Sequence, residues 1–161
     1  MASYDLIGNI AIIKPESNGK KKTKSQKLKE AKELLKKPQI KTVLEKTKDV
    51  HGRLRKIKTK HLAGDKKLET IHKENNCQFK LNVETCYFSP RQSSDRKDVA
   101  ERIKKNQEVL FMFSGIGAYP IVACKLAEPK HVTTIEISRE CNKYFKENLK
   151  LNKIPVTTVT Q

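Results

Sequence analysis

Gly115 and Gly117 stand at the end of an unbroken apolar run, Val109-Leu110-Phe111-Met112-Phe113, after which a helical pattern resumes at Ala118. A buried parallel strand reads as such a run, and glycines at its end let the main chain approach a ligand where a Cβ would collide. About twenty residues further on, a β-branched run, His131-Val132-Thr133-Thr134-Ile135, leads into Glu136, a carboxylate of the kind that grips ribose hydroxyls. Phe113, Ser114, Gly115, Gly117 and Glu136 are therefore the candidate cofactor residues. Each half alone has a plainer account: a lone Gly-x-Gly is more often a turn, and a glutamate also simply ends a strand.

The order of the elements adds to the signal. Strand, Gly-x-Gly, helix over 119–127, strand, acid, helix over 139–153 is a βαβ arrangement. Pro120 occupies the place where a dinucleotide-binding turn wants its third glycine, so S-adenosylmethionine, which has no diphosphate, fits this site better than NAD.

The chain of 161 residues suits one ordinary domain or two small ones. Thirty-five Lys and Arg against 18 Asp and Glu give a net charge of +17. Such a field favours a polyanion, RNA or DNA first, although a lysine-rich solvated surface gives the same count. Cys77, Cys86, Cys124 and Cys141 form no Cys-x-x-Cys pair, and the four histidines show no ligand spacing. The cysteines read as buried thiols of a reducing compartment, with neither metal nor disulfide expected. No charged-then-apolar leader and no apolar run long enough to span a bilayer is present, so a cytoplasmic protein without membrane contact is expected.

Upstream, residues 4–13 read as a strand pair turning at Gly8-Asn9. Thr23 and Gln26 have capping-box spacing, and Leu28, Ala31, Leu34 and Leu35 continue a helical stripe until Pro38. Strands are expected over 41–47, 53–59, 68–73 and 77–83, the last two joined at Glu74-Asn75-Asn76, and a helix opening at Ser93 or Ser94 with Val99, Ala100 and Ile103 inward. The fold class that follows is an α+β N-terminal domain over 1–86 and a partial α/β Rossmann-like domain over 87–161. So short a parallel sheet leaves an apolar face and an edge uncovered, so either a separate C-terminal fragment completes it as partner or the sequence is itself a fragment.

The sequence resembles the archaeal and eukaryotic tRNA (guanine-N1)-methyltransferases that modify guanosine 37 beside the anticodon. The resemblance runs through residues 4–13, Lys41-Thr42-Val43-Leu44-Glu45-Lys46, Thr70-Ile71-His72-Lys73-Glu74-Asn75, Tyr87-Phe88-Ser89-Pro90-Arg91, Met112-Phe113-Ser114-Gly115, Ile135-Glu136 and the segment 147–153. It implies a partial class I methyltransferase domain over 87–161, an RNA-binding and active-site role for the domain over 1–86, S-adenosylmethionine as cofactor and the anticodon region of tRNA as partner. It also implies catalytic roles for Arg55, facing guanine O6, and Asp95, the general base. Tyr87, Arg91 and Arg96 are implied on the target side. Here Asp95 replaces the family's usual Glu, Phe111 stands where an acid often precedes Met-Phe, and the later Asn-Leu-Pro-type motif has no counterpart in these residues.

Those residue types suit the chemistry. Guanine N1 is a poor nucleophile until a carboxylate takes its proton, and a fixed guanidinium stabilises the charge that then builds on O6. Aligning N1 with the sulfonium methyl is a positioning effect worth roughly 7 kcal/mol or more. Asp95 and Arg91, four residues apart, would both face one pocket if the helix begins early enough. Without the resemblance, Asp95 is an ordinary helix-dipole partner, and Arg55 and Arg91 are plain phosphate contacts. Two other functions compete: a wybutosine-pathway aminocarboxypropyltransferase, whose relatives resemble Ser-x-Gly-Asn at Ser89-Pro90-Arg91, and a non-catalytic RNA-binding remnant.

Overall fold

The apolar tetrad Ile10-Ala11-Ile12-Ile13 is buried along its whole length because it is covered on both faces, the pattern of a central strand. The computed structural model describes residues 4–17, 20–47, 52, 54–155 and 159–160. β1 (Tyr4–Ile7) and β2 (Ile10–Ile13) form the expected antiparallel hairpin. After a two-residue ladder, β3 (Glu16–Ser17) with β4 (Lys20–Lys21), the chain enters α1 (Lys24–Leu35). It begins at the capping box the spacing announced: Thr23 Oγ1 accepts from Gln26 N at 3.2 Å and Gln26 Oε1 accepts from Thr23 N at 2.8 Å.

α1 returns the chain to β5 (Thr42–Lys46), parallel to β2, and β6 (Thr59–Gly64) closes a sheet of order β1-β2-β5-β6. Ala31 and Leu34 of α1 pack with Ala11, Ile13, Ile40 and Val43 on one face, while Ile10, Ile12 and Leu44 face the main core. The strand expected over 53–59 is corrected. Arg55 has φ +50° and its N–H donates to the Gly52 carbonyl at 3.1 Å, so this stretch opens as a turn, Lys56 makes a single bridge and the continuous strand starts at Thr59. A positive φ takes the main chain out of the extended region and stops a ladder. Arg53 lies outside the described residues.

A hairpin follows, β7 (Glu69–Glu74) with β8 (Cys77–Asn82), turning at Asn75-Asn76. Cys77, Phe79 and Leu81 are buried and alternate with polar residues. Then Pro90–Gln92 makes a single 3₁₀ turn that runs straight into α2 (Ser93–Arg102). Neither serine caps α2. Ser93 is already helical, because the proline-led turn sets the geometry one step earlier.

The last part is the expected βαβ series: β9 (Glu108–Met112), α3 (Ala118–Leu126), β10 (His131–Ile135), α4 (Arg139–Leu151) and β11 (Val159–Thr160). Its parallel sheet has the order β11-β10-β9. Pro120 sits in the first turn of α3, where its missing N–H is not needed. Val132, Ile121, Phe145 and Leu149 join Phe79, Leu81, Ile10 and Ile12 in one core, so both parts of the chain share their buried surface. The opposite sheet face is bare: Leu110 is 55% exposed, Met112 62% and Ile135 53%. Among the described residues no helix is long and apolar enough to cross a membrane.

Two asparagines, Asn148 in α4 and Asn152 at its C-cap, join the halves. Asn148 Oδ1 accepts from Lys80 N at 2.7 Å and its Nδ2 donates to Lys80 O at 3.1 Å; Asn152 repeats this with Gln78 at 2.8 and 2.7 Å. Four residues of helix rise about 6 Å and two residues of strand about 6.6 Å, so residues four apart on α4 meet every second residue of the β8 edge. The side-chain amides take the place of a further strand and pair that edge at Gln78 and Lys80.

Gly117 is the N-cap of α3 at φ +84°, and a Cβ there would lie 2.1 Å from the Phe145 ring. Gly117→Ala is therefore expected to destabilise the fold by about 1–3 kcal/mol, seen as a lower thermal midpoint. An unchanged midpoint would contradict this packing role.

Candidate active site

The β9 strand delivers the main chain to Phe113, which takes φ +60° and is 81% exposed. A bulky residue held in that region marks strain of the kind that collects at functional sites. The turn beyond it is held by Ser114 N donating to Ile135 O at 3.1 Å and by Gly117 N donating to Ser114 O at 2.9 Å. Gly115 (φ +56°) has open space where a Cβ would go. Its N–H donates to Glu136 Oε2 at 2.8 Å, and Glu136 Oε1 accepts from Ser138 N at 2.7 Å. Each carboxylate oxygen thus keeps a lone pair for a further donor such as a ribose hydroxyl. Ser138 in turn caps α4, its Oγ accepting from Cys141 N at 3.3 Å.

Those groups line a cavity of about 420 Å3 whose far wall is Leu54, Arg55, Tyr87, Phe88 and Ser89. The turn ending at Arg55 therefore faces the Gly-x-Gly turn across one space. The Arg55 guanidinium lies 4.6 Å over the Tyr87 ring, a stacked cation whose outer face is left for an anion or a carbonyl. A second cavity of about 240 Å3 adjoins on the Asp5 side and shares Arg55, Tyr87, Phe88 and Ser89.

Of the residues expected from the sequence, Arg55, Tyr87, Arg96, Phe113, Ser114, Gly115 and Glu136 line the larger cavity together. Gly117 does not; its need for glycine comes from Phe145. Arg91 and Asp95 take separate partners, contrary to the shared pocket that their spacing suggested. Arg91 Nε donates to Asp5 Oδ1 at 2.7 Å, tying the 3₁₀ turn to β1. Asp95 accepts a hydrogen bond from the Tyr119 hydroxyl, and Tyr119 lines the cavity. The separation arises because Arg91 belongs to the 3₁₀ turn and Asp95 to α2. Burial, followed by the Asp95 carboxylate, pushes the Tyr119 hydroxyl up to about 12.

Arg96 is 2% exposed, and its donors serve the protein itself. Nε and Nη2 reach Glu74 at 2.5 and 2.7 Å, and Nη2 also donates to Ser89 O at 2.9 Å. Its guanidinium lies 4.8 Å over Phe88 and 5.7 Å over Tyr119. Thus Arg96 forms the floor beneath the Phe88–Ser89 segment. His72 extends the network: Nδ1 accepts from Gly8 N at 3.1 Å, so Nε2 carries the proton and faces Glu74 at 3.4 Å. Burial raises the Glu74 carboxyl, but hydrogen bonds from His72 and Arg96 and the Arg96 charge outweigh it and hold the group below the usual carboxylate range. Sequence reasoning missed Glu74, His72 and Tyr119 as site residues; the only signal was that His72 and Glu74 fall in a stretch that resembles the family.

This arrangement has known counterparts. Residues 70–160 match the family model described as the TRM5/TYW2 methyltransferase domain, and residues 1–67 match the TYW2 N-terminal domain. The chain belongs to the TRM5/TYW2 family. A tRNA (guanine(37)-N(1))/4-demethylwyosine(37)-methyltransferase of Nanoarchaeum equitans is 40% identical over 157 residues, 98% of this chain and 50% of that protein. A tRNA(Phe) (4-demethylwyosine(37)-C(7)) aminocarboxypropyltransferase of Methanocaldococcus jannaschii is 36% identical over 94% of this chain and 57% of its own length. Among solved structures, a complex of aTrm5 and tRNALeu superposes with a TM-score of 0.87 at 28% identity, covering 98% of this chain and 45% of that one. M. jannaschii TYW2 in complex with AdoMet gives 0.66 at 28% identity, with 98% and 54% covered. This TRM5/TYW2 chain spans about half the length of the relatives it matches.

Glu74→Gln leaves Arg96 buried without its counter-charge, which is expected to cost about 3 kcal/mol or more. Because the folded carboxyl is depressed, the stability it contributes is complete above the unfolded value of about 4.3 and lost as pH falls through the folded value. An acid titration followed by circular dichroism should therefore show a shallower low-pH loss in Glu74→Gln than in the parent. Superimposable acid limbs would remove Glu74 from the account.

Proposed function

We propose that this chain forms the target-side and cofactor-side walls of a tRNA (guanine-N1)-methyltransferase acting on guanosine 37. The observation that carries this reading is one cavity lined by Arg55 and Tyr87 on one side and Ser114, Gly115 and Glu136 on the other, with Asp95 bonded to its Tyr119 wall. S-adenosylmethionine would supply an electrophilic methyl group, its ribose side toward Glu136 and its backbone approach at Gly115, where the space for a Cβ is open. AdoMet in the related TYW2 structure and the methyltransferase family match support that cofactor.

The chain's own groups supply the rest. The target guanine lies toward Tyr87, with O6 at the Arg55 guanidinium. That charge is permanent and its stacking on Tyr87 holds it in place, so it stabilises the developing oxyanion without reorganisation. Asp95 takes the N1 proton. The Tyr119 hydroxyl, a donor that stays protonated, holds one carboxylate oxygen and leaves the other for the base. Arg91, tied to Asp5, and Arg96, beneath Ser89, hold the target-side segment in place. The net charge of +17 favours approach of the RNA.

We also propose that the bare sheet face at Leu110, Met112 and Ile135 receives the remaining half of the methyltransferase domain, whether in the same polypeptide or in a separate one. The exposure of three large apolar residues on one sheet face and the half-length match to relatives support this. A second reaction, aminocarboxypropyl transfer from the same cofactor, is favoured by the match of residues 1–67 to the TYW2 N-terminal domain and by the M. jannaschii relative.

Calorimetric titration with S-adenosylmethionine is expected to give a defined affinity that Glu136→Ala weakens about tenfold or more, the loss of one charge-assisted contact. Equal affinities in the two proteins would contradict the assignment of Glu136. In single-turnover assays on tRNA bearing guanosine 37, with the remaining half supplied, Arg55→Ala should slow transfer about 10²-fold. Asp95→Ala should slow it about 10²- to 10⁴-fold, with RNA affinity little changed in both. Mass spectrometry of the digested tRNA decides the reaction: an added methyl supports the proposal, and an added aminocarboxypropyl group replaces it.

A further inference from the structure

Two buried thiols take no part in the reactions above. Cys86 comes directly before Tyr87, and Cys141 is the third residue of α4. They are 1% and 5% exposed, and their sulfurs lie 2.6 Å apart, about half an ångström more than the roughly 2.05 Å of a disulfide bond. The sequence, with its scattered cysteines, suggested only isolated thiols; the fold brings these two together across 55 positions.

Their surroundings differ. Cys141 is in the first turn of a helix capped by Ser138, and it lines the same cavity as Ser114, Gly115 and Glu136. Contact with the Cys86 sulfur, and after it hydrogen bonding with Ser138, hold the Cys141 thiol below the ordinary range, against burial and the nearby carboxylates of Glu136 and Glu140. Cys86 is pushed up by the same sulfur–sulfur contact and by burial. Cys77 and Cys124 are both pushed up to about 11, by burial above all, and stay inert thiols.

We propose that Cys86 and Cys141 form a reversible intramolecular disulfide, a thiol modification site that opens on the candidate cofactor cavity and is oxidised by a low-molecular-weight disulfide. In the first step the Cys141 thiolate attacks one sulfur of the small disulfide, giving a mixed disulfide and releasing one small thiolate, which takes up a proton. In the second, Cys86 loses its proton and attacks the Cys141 sulfur, and the second small thiol departs with that proton. Two protein thiols are oxidised and one small disulfide is reduced to two thiols. The new bond ties the segment leading into Tyr87 to the first turn of α4, beside the existing bond from Thr85 Oγ1 to Glu140 Oε1 at 2.8 Å. It therefore fixes the target-side wall against the cofactor-side wall, and the pair itself stands independently of the cofactor reading.

The test equilibrates the full chain in a series of glutathione redox buffers, followed by alkylation after unfolding, intact mass and peptide mapping. Under oxidising buffers the expected result is loss of two of the four alkylatable thiols and a mass lower by two hydrogens. A cross-linked peptide joining Cys86 and Cys141 and a raised thermal midpoint should accompany it, all reversed by dithiothreitol. In Cys86→Ser, glutathione should accumulate on Cys141 as the unresolved mixed disulfide. Four alkylatable thiols throughout the series, or a cross-link between any other two cysteines, would overturn the proposal. Saturating S-adenosylmethionine should slow oxidation several-fold by covering Cys141; the cross-link forming at an unchanged rate would support the pair and count against the cofactor reading instead.

Discussion

The ion pair between Glu74 and Arg96 is the interaction on which the rest of the site depends. Both side chains are almost fully buried, and a charge in that position persists only if its partner and its hydrogen bonds are complete. Each completing group comes from a different part of the chain. His72 brings the β1–β2 turn through Gly8, Ser89 brings the segment before α2, and the rings of Phe88 and Tyr119 cover the guanidinium. The pair therefore fixes the relative position of the N-terminal sheet, the target-side segment and the first turn of α3. Asp95 and Tyr87, the groups with proposed roles at the base, are neighbours of this network in sequence or in space.

The two matched family segments meet at the β7–β8 hairpin. Its apolar face enters the main core, and its outer edge is paired by Asn148 and Asn152 instead of by a strand. Side-chain amides can do this only because helix and strand repeats nearly coincide at four and two residues. The pairing makes α4, and with it Ser138 and Glu136, a rigid extension of the hairpin. The Gly115–Glu136 wall and the Tyr87–Ser89 wall of the cavity are thus connected through hydrogen bonds and core packing, and the Cys86–Cys141 approach lies along the same line.

Much of the scaffold was legible from local signals. The Thr23–Gln26 capping box, the Gly8-Asn9 turn, the alternation at Cys77, Phe79 and Leu81, and the βαβ order around Gly115 and Glu136 all appear where the residues placed them, because each rests on interactions within a few positions of chain. The failures have a common cause. The strand expected over 53–59 ignored the turn that puts Arg55 at positive φ, and the shared pocket expected for Arg91 and Asp95 ignored the proline-led 3₁₀ turn; both are settled by how neighbouring segments meet.

By itself, the sequence determined the elements, the cofactor-type turn with its distant acid and the family resemblance, since periodicity, turn chemistry and spacing are properties of the chain read in order. Tertiary structure alone decided the use of each polar side chain. Arg96 became a buried support, Arg91 a tie to Asp5, Gly117 a packing site for Phe145, and Cys86 and Cys141 a pair. The physical reason is that a charge or thiol is defined by the partner it finds once water is excluded, and those partners lie tens of positions away.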